Sequence, residues 1–308
     1  MSINPKSIYN EFVRANLPAG MTYDSNTNRY VVNNTPWVTY VSAEWYLDYI
    51  EKFGYSAGFD PAVLFANNEP GVWYDPSDLS TLFQDTAGTT PVTTPGQTVA
   101  LMLDKSGNGF HATQPTAAAR PTYQTDGTLH WLSFDGVDDW MVTPTITPGI
   151  DKAQVFAGVR KLSDAVQMFT ETSANAALLN GALFFVFGDS NNAQYSSLGR
   201  GTALVTQQQV VKLVGFFAPD TAVLTVTHDI VGDLSTIRRN GVAGANATGD
   251  KGTGNFLAYP MYIGSRAGTS LRFNGQLYSL ITRFGANLEV AQIESTEAYV
   301  AGKTGVTL

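Results

Sequence analysis

The chain has 308 residues, none of them cysteine, and 18 Lys and Arg stand against 26 Asp and Glu for a net charge of −8. Only 14% of its residues are charged, against about 25% in ordinary globular domains, so neutral polar side chains must cover the surface. The negative balance argues against a nucleic-acid or anionic membrane partner, and the missing cysteine excludes disulfides, thiolate metal sites and cysteine nucleophiles. With 44% apolar and 12% aromatic residues, the chain can bury a sizeable core, and its length suits one large domain plus a small one.

The first twenty residues mix charges with apolar side chains and hold no hydrophobic run of signal-peptide length, so export through a signal peptide is not expected. Residues 7–17 place Ile8, Phe12 and Val13 on one helical side, with Pro18 and Gly20 as the stop. Residues 42–53 put Trp45, Tyr49 and Phe53 at fourfold spacing behind a Ser42 N-cap, with Gly54 as C-terminal signal. Between them, residues 21–24 and 29–32 flank a polar turn and predict a hairpin. Residues 1–68 therefore predict a small α+β module, rich in aromatic side chains that serve either its own core or a docking face. The turn-rich stretch 67–71 marks the boundary to a second domain, 69–308.

From Val72 onward the text becomes short β-rich runs separated by Gly, Asn, Asp, Pro and Thr. The better strand candidates are 153–159, 167–170, 183–187, 210–217, 222–227, 236–239, 261–263 and 277–284. The last alternates with period two, which predicts two distinct faces. Asn240-Gly241 and Asn274-Gly275 are dipeptides favoured in tight hairpin turns. The longest strongly apolar stretch, 183–187, is far below the ~20 residues of a membrane-spanning helix. Residues 287–301, followed by Gly302, predict a short amphipathic helix. Many short strands without interleaved helices argue for a mainly β fold, an antiparallel jelly-roll β-sandwich with the α+β module at one end and this helix at the other.

Catalytic signatures are sparse. His111, His130 and His228 show no zinc-type spacing, and no nucleophile elbow or phosphate loop occurs. Glycoside cleavage needs two carboxylates about 5–9.5 Å apart, and none of the glutamates forms a paired-acid strand motif. Asp135, Asp138 and Asp139 cluster within five residues beside Gly136. Such a group could supply oxygen ligands to calcium; the alternative is that Asp135 and Asp138 cap loop amides while Asp139 faces solvent.

The segments 72–83, 103–114, 119–123, 132–139, 239–241, 263–265 and 273–278 resemble, in order and spacing, the concanavalin A-like lectin/glucanase superfamily. They are most similar to the laminin-G-like jelly-roll modules of bacteriophage structural proteins. The resemblance covers about residues 72–302. It implies that Asp104, Ser106, Asn108 and Gly109 form one loop and that residues 134–139 enter a core strand. It carries over no catalytic residue, because the glucanase branch's acidic strand motif is missing here. It further implies a virion structural protein, made in the host cytoplasm, with residues 1–68 attached to other virion proteins and a homo-oligomeric assembly. The displayed domain would bind a host-surface glycan, through Trp140 as an aromatic platform and Asp138 and Asn108 as hydroxyl partners. Two alternatives stand beside this reading: a decoration protein without ligand, and a polysaccharide-degrading glycosidase.

Overall fold

The computed structural model of the chain describes residues 59–308 other than 177–179, 190–191 and 204–209, together with three short strands further upstream. It divides the chain into two compact units, Met1–Asp60 and Pro61–Leu308. In the first, β1 (Met21–Asp24), β2 (Arg29–Val32) and β3 (Tyr40–Ser42) form an antiparallel sheet in that order. Met21 pairs with Val32 and Asp24 with Arg29, so the expected hairpin is present. Ser42 closes β3; the helices expected over 7–17 and the rest of 42–53 lie outside the described residues.

The second unit runs through β4 (Gly71–Tyr74), β5 (Leu82–Phe83), β6 (Leu101–Met102), β7 (Ala112–Thr113), β8 (Thr122–Thr125), β9 (His130–Asp135) and β10 (Met141–Ile146). It continues with β11 (Lys152–Lys161), β12 (Gln167–Thr172), β13 (Leu183–Asp189), β14 (Asn192–Gly199) and β15 (Val211–Val214). Then come β16 (Asp220–Asp229), β17 (Leu234–Arg239), β18 (Val242–Ala247), β19 (Tyr259–Ile263), β20 (Asn274–Phe284) and the helix α1 (Val290–Thr304). Nine strands form one sheet in the order β15-β14-β13-β12-β19-β10-β7-β6-β5, and eight form the other, β18-β17-β16-β11-β20-β9-β8, with β4 on β20. The pairings are antiparallel, and the inner faces of the two sheets share one core, as in a β-sandwich. Phe169, Phe185, Phe187 and Tyr195 from one sheet meet Val155, Leu224 and Leu277 from the other. Phe187 is the hub: it stacks on Phe169 at 5.0 Å and meets Tyr195 edge-on at 4.9 Å, arrangements that add about 0.5–1.5 kcal/mol beyond burial.

Four sequence expectations change against this frame. The sandwich unit begins at Pro61: Leu64 and Phe65 are buried, and the Arg283 guanidinium donates to Leu64 O at 2.8 Å and to Glu69 at 3.0 Å. β20 is buried on both faces from Leu277 to Phe284, because it sits mid-sheet and α1 lies across β11, β16 and β20. Asn240-Gly241 does make the β17–β18 turn, with φ of 51° and 76°, but Asn274-Gly275 lies inside β20, paired with Asp135 and Phe134. Finally, α1 passes through Gly302 and stops at Gly305, which adopts φ 69°. A capping box between Glu289 and Gln292 starts it, and burial of Val300 and Thr304 outweighs the roughly 1 kcal/mol that an interior glycine costs.

Asp75, just after β4, ties the first strand of the unit to its last helix. Its carboxylate accepts from Tyr299 Oη at 2.8 Å and lies 3.0 Å from Lys303 Nζ. Burial pushes this carboxyl up, but the Ser77 hydroxyl and the Lys303 charge outweigh that and hold it below its ordinary value. No helix among the described residues is long and apolar enough to cross a membrane.

Candidate functional site

Asp104, Ser106, Asn108 and Gly109 do share one loop, between β6 and β7. The Asp104 carboxylate organises it, accepting from Trp73 N at 2.9 Å, Ser106 N at 2.9 Å, Ser106 Oγ at 2.8 Å and Phe110 N at 3.0 Å. Asn108 Nδ2 donates to Glu69 O and Gly71 O, both at 3.0 Å. The donors of Asn108, expected to meet sugar hydroxyls, therefore latch this loop onto the start of β4. At the loop's far end, His111 Nδ1 accepts the Asp104 N–H at 3.0 Å.

The acidic cluster occupies the turn after β9, so strand structure ends at Asp135 instead of running to Asp139. Asp135 Oδ1 accepts from Val137 N at 2.7 Å and Asp138 N at 3.2 Å, as the turn-capping alternative has it for Asp135. Asp139 is not the solvent-facing member: it is buried while Asp135 is exposed, because Asp139 Oδ2 turns back to accept the Asp135 N–H at 3.0 Å. One oxygen from each of the three carboxylates lies within 4.8 Å of the others. Burial, then the Asp135 charge, pushes Asp139 up to about 7, against the opposing pull of its hydrogen bond and of Arg272. The set fits calcium only in part, since the ion takes six to eight oxygens and backbone amides already hold an oxygen each of Asp135 and Asp139.

Trp140 follows this turn and lies on the outward face of the nine-stranded sheet. Met141 and Ile263 pair and point into the core, so alternation along the strand sends Trp140, Val142 and Tyr262 outward. Register extends that face into a row across the strands, Phe83, Leu101, Thr113, Val142 and Tyr262, each directly opposite the next. Trp140 and Tyr262 are half-buried, their rings 5.9 Å apart and tilted by 37°. Gly268, in the loop between β19 and β20, lies against the indole so closely that a Cβ there would come within 2.6 Å of Cζ2. That loop is pinned by Arg266, whose Nε donates to Glu171 at 3.2 Å. Glu171 is fully buried and its carboxyl is raised by that burial. At the Phe83 end, the row opens into a cleft of about 720 Å³ lined by Phe83, Leu101, Leu103, His111, Thr113 and Pro144.

Asp138 is half-exposed in the turn that precedes Trp140, whereas the Asn108 amide is engaged within its own loop. Sequence reasoning missed Tyr262 and the cleft. No local signal could have joined residues 83, 101, 113, 142 and 262, since only strand pairing over long separations aligns them.

No known protein family and no curated protein matches the chain. Among solved structures, an arabinofuranosidase complexed with arabinofuranosyl-α-1,2-xylobiose is similar over 80% of this chain and 65% of its own, at 13% identity and a TM-score of 0.51. A botulinum neurotoxin type C structure, described as showing cell entry dependent upon interaction with two ganglioside molecules, overlaps 76% of this chain and 52% of its own, at 12% identity and a TM-score of 0.48. Domain 4 of a GH43 arabinanase from Geobacillus stearothermophilus, in complex with arabinotriose, overlaps 74% of this chain and 98% of its own, at 15% identity and a TM-score of 0.43. The chain spans 65% of the arabinofuranosidase's length. At this identity the likeness defines the fold, an antiparallel β-sandwich, and nothing finer.

Proposed function

We propose that the chain is a glycan-binding β-sandwich protein, displayed on a virion through its Met1–Asp60 unit, with Trp140 and Tyr262 as its sugar platform. The observation that carries the glycan part is the half-exposed aromatic pair on the outward row, braced by Gly268. Aromatic faces pack against the C–H surfaces of sugar rings while a few polar groups take the hydroxyls, and we assign Asp138, two residues before Trp140 in sequence, to the hydroxyls. The resemblance of residues 72–302 to phage jelly-roll modules, and the separate Met1–Asp60 unit, support display on a particle. Homo-oligomers would multiply weak sugar contacts through effective concentration.

A glycan array and a whole-cell binding assay test this reading. Trp140→Ala and Tyr262→Ala should each weaken retention by at least about tenfold, roughly 1.4 kcal/mol; absence of retention on every glycan and host would overturn it. A protein lacking residues 1–60 should still bind glycan yet be lost from particles.

A further inference from the structure

The cleft at the Phe83 end of the row has a polarity of its own. Phe83, Leu101, Leu103 and Pro144 give it apolar walls. His111 lines it with a fixed tautomer: Nδ1 accepts the Asp104 N–H, a nitrogen that accepts carries no proton, and the neutral ring must therefore hold its hydrogen on Nε2. Because Asp104 is locked by its own loop hydrogen bonds, this arrangement is built in before any ligand arrives. Threonine hydroxyls complete the lining. Thr143 Oγ1 is occupied on both sides, donating to Pro144 O at 2.7 Å and accepting from Met261 N at 2.9 Å, whereas Thr113 Oγ1 donates to Val142 O at 3.5 Å. With its proton directed at a backbone carbonyl, the half-buried Thr113 faces a ligand as an acceptor. The loop on this side is braced by Asp85, whose carboxylate accepts the N–H groups of Ala87, Thr89 and Thr90.

An apolar wall, one oriented N–H donor and one hydroxyl acceptor form the complement of an acetamido group. We infer that the cleft binds a 2-acetamido sugar residue, an assignment that rests on the glycan-binding reading for the sugar ring. The methyl packs on Phe83, Leu101 and Leu103, the carbonyl oxygen accepts from His111 Nε2–H, and the amide N–H donates to Thr113. A cleft of about 720 Å³ falls within the usual range of ligand sites and admits the whole residue. A sugar with a hydroxyl at that position leaves the apolar wall uncovered, and an acidic sugar finds neither lysine nor arginine among the lining residues.

The test is an NMR titration of the full chain, labelled on histidine, with N-acetylglucosamine and with glucose. The His111 ring signals should shift saturably with N-acetylglucosamine and at least tenfold more weakly with glucose. Thr113→Val, close in shape to the natural residue, should reduce that preference. Equal shifts with the two sugars, or no His111 shift with N-acetylglucosamine, would overturn the inference. A His111 shift in a protein that retains no glycan on the array would break the platform reading alone, whereas array retention without a His111 shift would break the cleft assignment alone.

Discussion

His228 shows how this protein uses a titratable residue as packing material. Both ring nitrogens are satisfied by hydroxyls, Nε2 with Ser197 Oγ at 2.9 Å and Nδ1 with Ser235 Oγ at 2.7 Å, and burial, helped by the nearby Lys251 charge, pushes the ring down to about 3. The unfolded chain takes up this proton near 6.5 and the folded chain near 3, so the contribution to stability is complete above 6.5 and is lost as pH falls between those values. Unfolding free energy should drop by about 1.4 kcal/mol per pH unit over that window from this group. Denaturant melts of wild type and His228→Gln at pH 7 and 5 check it, since the variant should lack this component of the slope. The acidic turn gives a second residue-scale test. Millimolar calcium should raise the melting temperature at pH 8, above the value of about 7 to which Asp139 is pushed, and Asp138→Asn should remove that increment; an unchanged melt would leave the cluster as turn chemistry.

Among the elements, the loop between β19 and β20 does the most for the proposed platform, and it was invisible in the sequence. Gly268 has φ 68° and touches the Trp140 indole, so Gly268→Ala should push the ring away, destabilise the fold by about 1–3 kcal/mol and weaken glycan retention together. Intrinsic tryptophan fluorescence and the array report the two effects. Central strands such as β11 and β16 were legible because their valines, phenylalanine and threonines fit a pleated, buried surface. β14, with the polar text NAQYSSLG, was not, because it becomes a strand through pairing on both edges with β13 and β15. β5, β6 and β7 are only two residues each, too short for any periodicity to mark them. The site was legible to the same extent: Trp140 and Asp138 are neighbours in sequence, whereas Tyr262 and His111 reach it through strand pairing and loop closure. At the edge of the other sheet, α1 depends on Glu297, buried and paired with Arg238 Nε at 2.8 Å. Glu297→Gln should cost roughly 1.5–3 kcal/mol, read as a lower denaturation midpoint.

At the scale of the whole molecule, the sandwich should hold its melting temperature when residues 1–60 are removed, because its core is complete from Pro61 onward. Removal of residues 1–68 should lower it, since burial of Leu64 and Phe65 is worth roughly 1.5–3 kcal/mol each and Arg283 loses the Leu64 carbonyl. The β-sandwich class was readable from turn spacing and strand text, but the eight-residue overlap between the expected and observed domain edges turns on one buried arginine whose partners lie more than 200 residues away in sequence. Asp75 carries a further consequence. By joining the region just after β4 to Tyr299 and Lys303 of α1, it brings the beginning and the end of the sandwich to the same place. A unit whose ends meet can be spliced into a surface loop of another protein with short linkers, or reopened elsewhere and closed across the old ends, without unthreading any strand.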